Sequence, residues 1–136
     1  MSYDLMVFEV KDAPTNKKAF MEWYDQQTEW TENHNYDDPA VTSEALRNWY
    51  MDMIKVYAPM NGPYALSEED FDNLGDKEVY VTDYSVGRSV IYAAFAWSLA
   101  DQVYNQFREL ALKHKVGFFD ASGDGDIILP DVSKID

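Results

Sequence analysis

The chain of 136 residues carries 25 acidic against 11 basic side chains, a formal net charge of −14, while 46% of its residues are hydrophobic and 15% are aromatic. This excess of negative charge disfavours binding to nucleic acid or to an anionic membrane, and it favours basic proteins or metal cations as partners. The absence of cysteine excludes disulfides, thiolate nucleophiles and Cys-ligated metal centres.

The length fits a single domain over residues 1–136, with enough chain to bury a sizeable core. No stretch reaches the roughly 20 apolar residues that a membrane span needs. The first residues carry acids where a signal peptide carries Lys or Arg. We therefore expect a cytoplasmic protein.

The first half of the chain predicts one strand and two helices. Alternating apolar residues over 3–10 predict the strand, and aromatic residues spaced by three and four predict a helix over 16–32. Thr42 or Ser43 can cap a second helix that runs to about residue 57. The stretch from there to residue 76 shows no period and is expected to be a loop.

The second half predicts a hairpin, a helix and two closing strands. Residues 79–86 and 90–97 are rich in β-branched and aromatic side chains, and Gly87 and Arg88 can form the turn between them. The segment from Ser98 to Asp101 resembles a capping box that opens a third helix, for which Gly117 would be the C′ residue. Short strands at 118–119 and 127–129 follow.

This element order, β-α-α-β-β-α-β-β, favours an α+β fold. We expect a single, mostly antiparallel sheet of four to five strands, with the three helices packed on one face.

A glycine- and aspartate-rich segment near the end resembles a calcium-binding loop. From Asp120 to Asp131 it has oxygen-bearing side chains at positions 1, 3, 5 and 12, and Gly125 at position 6. However, Pro130 prevents an exiting helix, and the same residues are typical of a tight hairpin turn. We expect the turn, and calcium binding stays open.

Conventional catalytic patterns are missing from the sequence. His34 lies in a loop with Glu32, Asp37 and Asp38, a set that could bind a divalent metal or act as acid and base. A solvated polar loop explains it better, because the spacing of a metal motif and a second nearby His are absent. Ser98 and Ser122 lack the glycines of a nucleophile elbow. We expect no catalytic residues, no cofactor and no resident metal.

The acids concentrate in two regions that also hold aromatic residues. Residues 19–46 contain seven acids and no Lys or Arg, and residues 68–83 contain seven acids and only Lys77. Aromatic side chains anchor protein interfaces, and surrounding acids select cationic partners. The predicted partner-binding residues are Glu29, Glu32, Tyr36, Asp37, Asp38, Tyr64, Glu68, Glu69, Asp70 and Asp72.

Five segments resemble those of a widespread group of small, uncharacterised bacterial proteins: MSYDL at 1–5, YDDP at 36–39, MNGP at 60–63, VTDYSVGR at 81–88 and VGFFD at 116–120. That group is similar to immunity proteins of polymorphic toxin systems, including contact-dependent growth inhibition. None of the five segments is a catalytic motif, so the resemblance implies a class of protein and no functional residue.

Charge and resemblance together favour a non-enzymatic immunity or antitoxin protein that neutralises a basic toxin, with a nuclease domain as the expected target. We expect it to act as a monomer or homodimer without binding nucleic acid or membrane. The alternatives are a small metal-binding domain or enzyme that uses His34 with nearby carboxylates, and a structural subunit that buries its apolar surface by self-association.

Overall fold

A five-stranded sheet forms the centre of the computed structural model, which describes residues 2–136. The strands are β1 (Tyr3–Phe8), β2 (Asp83–Val86), β3 (Val90–Phe95), β4 (Gly117–Phe119) and β5 (Ile127–Ile128). They lie in the order β2-β3-β1-β4-β5, and every neighbouring pair is antiparallel. The predicted α+β class with one antiparallel sheet is confirmed.

Four α-helices connect these strands. They are α1 (Lys17–Gln27), α2 (Glu44–Met53), α3 (Glu68–Asp72) and α4 (Ala100–His114). The element order agrees with the predicted one except for α3, which lies where the sequence predicted a loop. A 3-10 helix over Gly75–Tyr80 also replaces the first two residues of the predicted strand 79–86.

The helices pack on both faces of the sheet, so the expectation that all of them lie on one face was wrong. Leu5 and Val7 of β1 belong to the core that includes buried residues of α2 and α4. Met6 and Phe8, which alternate with them, belong to a second core with Phe20 of α1. These four residues of β1 are fully buried, as expected for a central strand covered on both sides.

Two helix boundaries differ from the predicted ones for local reasons. Helix α1 ends at Gln27 rather than near residue 32, because Trp30 adopts φ +56°, which a right-handed helix does not allow. Ser98 does not cap α4: it lies in a 3-10 helix over Trp97–Leu99, and α4 begins at Ala100 without a side-chain cap. By contrast, the Ser43 side chain does accept a hydrogen bond from the Leu46 amide and begins α2 as predicted.

Gly117 has a packing role rather than the predicted role at a helix end. Lys115 terminates α4 in the left-handed conformation, with φ +57°, and Gly117 is already the first residue of β4. A Cβ atom on Gly117 would lie 2.2 Å from the ring of Phe8. Glycine is therefore needed here because a buried aromatic ring occupies the space of a side chain.

Among residues 2–136, none of the helices combines the length and the apolar character that crossing a bilayer requires.

Candidate protein-binding surface

The segment between α2 and β2 forms an arm whose two ends lie side by side. The Thr82 amide donates a hydrogen bond to the Ala58 carbonyl at 2.8 Å, and the Met60 amide donates to the Thr82 carbonyl at 2.9 Å. Pro59 and Thr82 are both buried at this junction. We call residues 60–81 the acidic arm. Its base is fixed beside β2, and most of its other residues are exposed.

Helix α3 presents four of the predicted partner-binding acids within the arm. Ser67 caps the helix by accepting a hydrogen bond from the Asp70 amide at 3.1 Å. Glu68, Glu69 and Asp70 fill the first turn, where the helix dipole stabilises negative charge. These three acids and Asp72 are exposed, and in the described part of the chain no basic side chain pairs with any of them.

Exposed apolar side chains accompany these acids, and the sequence analysis missed most of them. Met60, Tyr64 and Phe71 are 53%, 45% and 38% exposed. Only Tyr64 was predicted, because the others follow no helix or strand period. A groove of about 300 Å³ has Met60, Phe71 and Glu68 among its lining residues. Apolar anchors bordered by charge are the composition of a protein interface.

The structure also brings the first acidic region next to the arm. Gly62 approaches the chain at Asp37 so closely that a Cβ atom on it would lie 2.1 Å from the Asp37 carbonyl oxygen. The pKa of Tyr50 is raised to about 12, chiefly by burial and then by the neighbouring Tyr64, Asp37 and Asp38. Asp37, Asp38 and Tyr64, predicted separately, therefore all lie near Tyr50.

Glu32 and Tyr36 are occupied by contacts within the protein. The Glu32 carboxylate accepts a hydrogen bond from the Arg88 amide at 3.0 Å and lies 2.5 Å from His34 Nε2. The Tyr36 ring packs against the rings of Trp30 and His34, with centroids 5.1 and 4.2 Å apart. These contacts hold the loop that follows α1 against the turn between β2 and β3. Glu29, by contrast, is exposed.

His34 has both ring nitrogens engaged. Nε2 contacts Glu32, and Nδ1 accepts a hydrogen bond from the Tyr36 amide at 3.1 Å. The Asp38 carboxylate bonds elsewhere, accepting from the Ala40 amide at 2.9 Å. Within residues 2–136, no three His, Asp or Glu side chains are arranged to hold a metal ion. In this conformation, neither His34 nitrogen is free for metal binding or proton transfer.

The segment that resembles a calcium loop comprises the connection between β4 and β5, β5 itself and the three residues after it. Asp120 is buried and accepts a hydrogen bond from the Asp124 amide at 3.4 Å. Asp126 forms an ion pair with Lys134 at 3.1 Å, and Asp131 accepts a hydrogen bond from the Ser133 amide at 2.9 Å. The carboxylates thus serve separate local contacts, as in a hairpin turn.

No protein-family model, curated protein or solved structure matches this chain. The resemblance to bacterial immunity proteins accordingly stays a prediction.

Proposed function

We propose that this chain is a non-enzymatic immunity or antitoxin protein of the bacterial cytoplasm, which binds and neutralises a basic toxin, most readily a nuclease domain. The observation that carries the proposal is the acidic arm, where the four exposed acids of α3 stand beside exposed Met60, Tyr64 and Phe71.

This surface suits a nuclease because of the charge that nuclease chemistry requires. An active site that attracts phosphates carries Lys and Arg, so an array of carboxylates can occupy it in place of the nucleic acid. The carboxylates accelerate association, while the apolar side chains hold the complex together once water is excluded. The resemblance of five segments to a group of small bacterial proteins that is similar to immunity proteins supports the same class.

The test uses the protein encoded immediately upstream of this chain's gene. We expect the two proteins to co-elute in size-exclusion chromatography and this chain to protect cells that express the upstream protein. Neutralising α3 with Glu68→Gln, Glu69→Gln, Asp70→Asn and Asp72→Asn should lower the association rate at least about tenfold at low salt.

A matched control changes the same charge elsewhere, with Glu22→Gln, Asp25→Asn, Glu109→Gln and Asp136→Asn, all at exposed positions. It should lower the rate much less, because these residues lie outside the arm and the adjoining loop. Failure of the upstream protein to co-elute, together with no protection of the cells, would refute the proposal. If both variants lost association rate equally, the acidic arm would not be the surface that binds the toxin.

A further inference from the structure

A second surface feature lies away from the acidic arm, at the start of α4. A cavity of about 420 Å³ opens there, which we call the Trp97 cavity; its lining residues are Tyr3, Trp97, Ala100, Asp101, Tyr104 and Asn105. Three of these six side chains are aromatic and one is acidic.

Trp97 is an unusual wall residue because 47% of it is exposed. Its ring centroid lies 5.1 Å from that of Tyr3, and the two planes are inclined at 54°. Tyr3 itself is buried, so it holds one side of the Trp97 ring while the rest faces solvent. A large exposed indole fixed against a buried ring is a ready surface for stacking a planar or cationic group.

The electrostatic environment of the cavity is negative. The pKa of Tyr3 is raised to about 12, chiefly by burial and then by Asp120, Tyr104 and Asp101, so the negative charges of both aspartates act on the Tyr3 hydroxyl. Asp120 does not line the cavity. It is only 8% exposed, and its Oδ1 atom is buried without a hydrogen-bond partner. A buried carboxylate oxygen without a donor is costly, and a nearby cation would lower that cost.

One basic group of the protein, Arg108, already shows the same chemistry at Tyr104. The guanidinium carbon of Arg108 lies 6.0 Å from the ring centroid of Tyr104 and 5.5 Å from that of Phe118. Arg108 does not line the Trp97 cavity, so Asp101 is the only charged side chain among its lining residues.

We propose that the Trp97 cavity binds an arginine side chain presented by the basic partner, with the guanidinium stacked on Trp97 and paired with Asp101. The source of the arginine rests on the proposed function, whereas the chemistry of the cavity does not. Arginine fits better than lysine because its guanidinium is planar, weakly hydrated and able to stack on an aromatic face while bonding a carboxylate.

The experiment titrates the intact protein with N-acetyl-arginine amide and follows the indole resonances by NMR. The Trp97 resonance is assigned with a Trp97→Phe variant. N-acetyl-citrulline amide is the matched control probe, because it has nearly the same shape without the charge, and N-acetyl-lysine amide tests the choice of cation. We expect a saturable shift of the Trp97 resonance in the millimolar range with arginine, a weaker one with lysine and none with citrulline.

Asp101→Asn should weaken arginine binding at least about threefold, while Asp25→Asn, at an exposed acid outside the acidic arm, should leave it unchanged. A citrulline response equal to that of arginine, a stronger lysine response, or no saturable shift would overturn the proposal. This titration contains no partner protein. Arginine binding without capture of the upstream protein would therefore contradict only the proposed function. Capture of the upstream protein without arginine binding would contradict only the proposed role of the Trp97 cavity.

Discussion

Gly117 is a residue whose replacement by alanine we expect to be costly because of a side-chain clash. A methyl group there would lie 2.2–2.7 Å from three atoms of the Phe8 ring, which is fully buried at the centre of the second core. The ring has no open space to move into, so Gly117→Ala should lower the free energy of unfolding by about 2 kcal/mol. Urea denaturation measures this change directly.

Gly125→Ala is the matched control for that substitution. Gly125 has φ +74° but no atom within 4 Å of the position its Cβ would take. The substitution should therefore show only the cost of the left-handed backbone, about 1 kcal/mol. A smaller loss for Gly117→Ala than for Gly125→Ala would mean that the Phe8 ring does not restrict position 117.

Asp52 illustrates how one carboxylate joins two helices. It lies 2.7 Å from His114 Nε2, 3.0 Å from Lys113 Nζ and 3.0 Å from Lys55 Nζ, so it connects α2 to the end of α4. Hydrogen bonds from His114, and then from Lys113 and Lys55, hold the pKa of Asp52 well below its ordinary value. The carboxylate therefore favours the folded state wherever it is ionised.

From this lowered pKa we predict a pH dependence. The stabilisation by Asp52 is complete above the unfolded carboxyl pKa of about 4, and it is lost as the pH falls towards the lower folded value. Asp52→Asn should reduce the free energy of unfolding by about 1 kcal/mol at neutral pH, and by progressively less below about pH 4. Chemical denaturation across this pH range measures the difference. A difference that grows as the pH falls would contradict the assignment, and Asp76→Asn is the control without a partner.

Among the secondary-structure elements, the loop after α1 is held in position by Glu32. The Glu32 carboxylate joins His34 to the Arg88 amide in the turn between β2 and β3. Glu32→Ala should remove this attachment, reduce the free energy of unfolding by about 1 kcal/mol and speed hydrogen exchange at the Arg88 amide. NMR-detected exchange provides the measurement.

Glu29→Ala serves as the control, because Glu29 lies in the same acidic region but is exposed. It should change neither stability nor exchange at Arg88. If both variants behaved alike, Glu32 would belong with the exposed acids, as the sequence predicted.

The sequence predicted the elements better than their packing. The periods of α2 and α4 determine those helices because one side of each is apolar, and the run of apolar residues in β1 determines that strand. The position of α1 on the face of the sheet opposite α2 and α4 could not be predicted. Leu5 and Met6 point to different faces but are equally apolar, so the sequence does not indicate which helix covers which face. The left-handed Lys115 was missed for a related reason: Gly117 looked like the helix end, but its lack of a side chain serves the Phe8 ring.

The candidate surface was predicted in part. Charge alone located the exposed acids of α3, because acids without nearby bases are solvated. Charge could not distinguish Glu32 from the exposed acids, because its contacts with Arg88 and His34 depend on the tertiary fold. Neither could it find Met60 and Phe71, since their exposure follows from the irregular path of the arm rather than from any period.

For the molecule as a whole, the net charge should destabilise the fold by self-repulsion. Of the acids in residues 2–136, only Glu32, Asp52 and Asp126 have a basic partner within 4.0 Å. Raising the ionic strength from about 0.01 M to about 0.15 M shortens the Debye length from about 30 Å to about 8 Å and screens the remaining repulsion.

We therefore expect the thermal midpoint to rise with sodium chloride over this range, by about 3 °C for each kcal/mol of repulsion removed. Differential scanning calorimetry gives the midpoint, and sucrose at equal osmolality controls for effects unrelated to charge. A midpoint that stays constant or falls would show that the acids are spaced too far apart to repel one another.

The paired hydrogen bonds at Ala58 and Thr82 have an evolutionary consequence. Since the chain departs and returns at adjacent points, the pairing of the strands does not fix the length of the segment between them. Closing such a loop costs only about 0.6 kcal/mol more for each doubling of its length. If the proposed function holds, changes confined to this one segment would alter which partner is bound while the pairing of the strands stays the same.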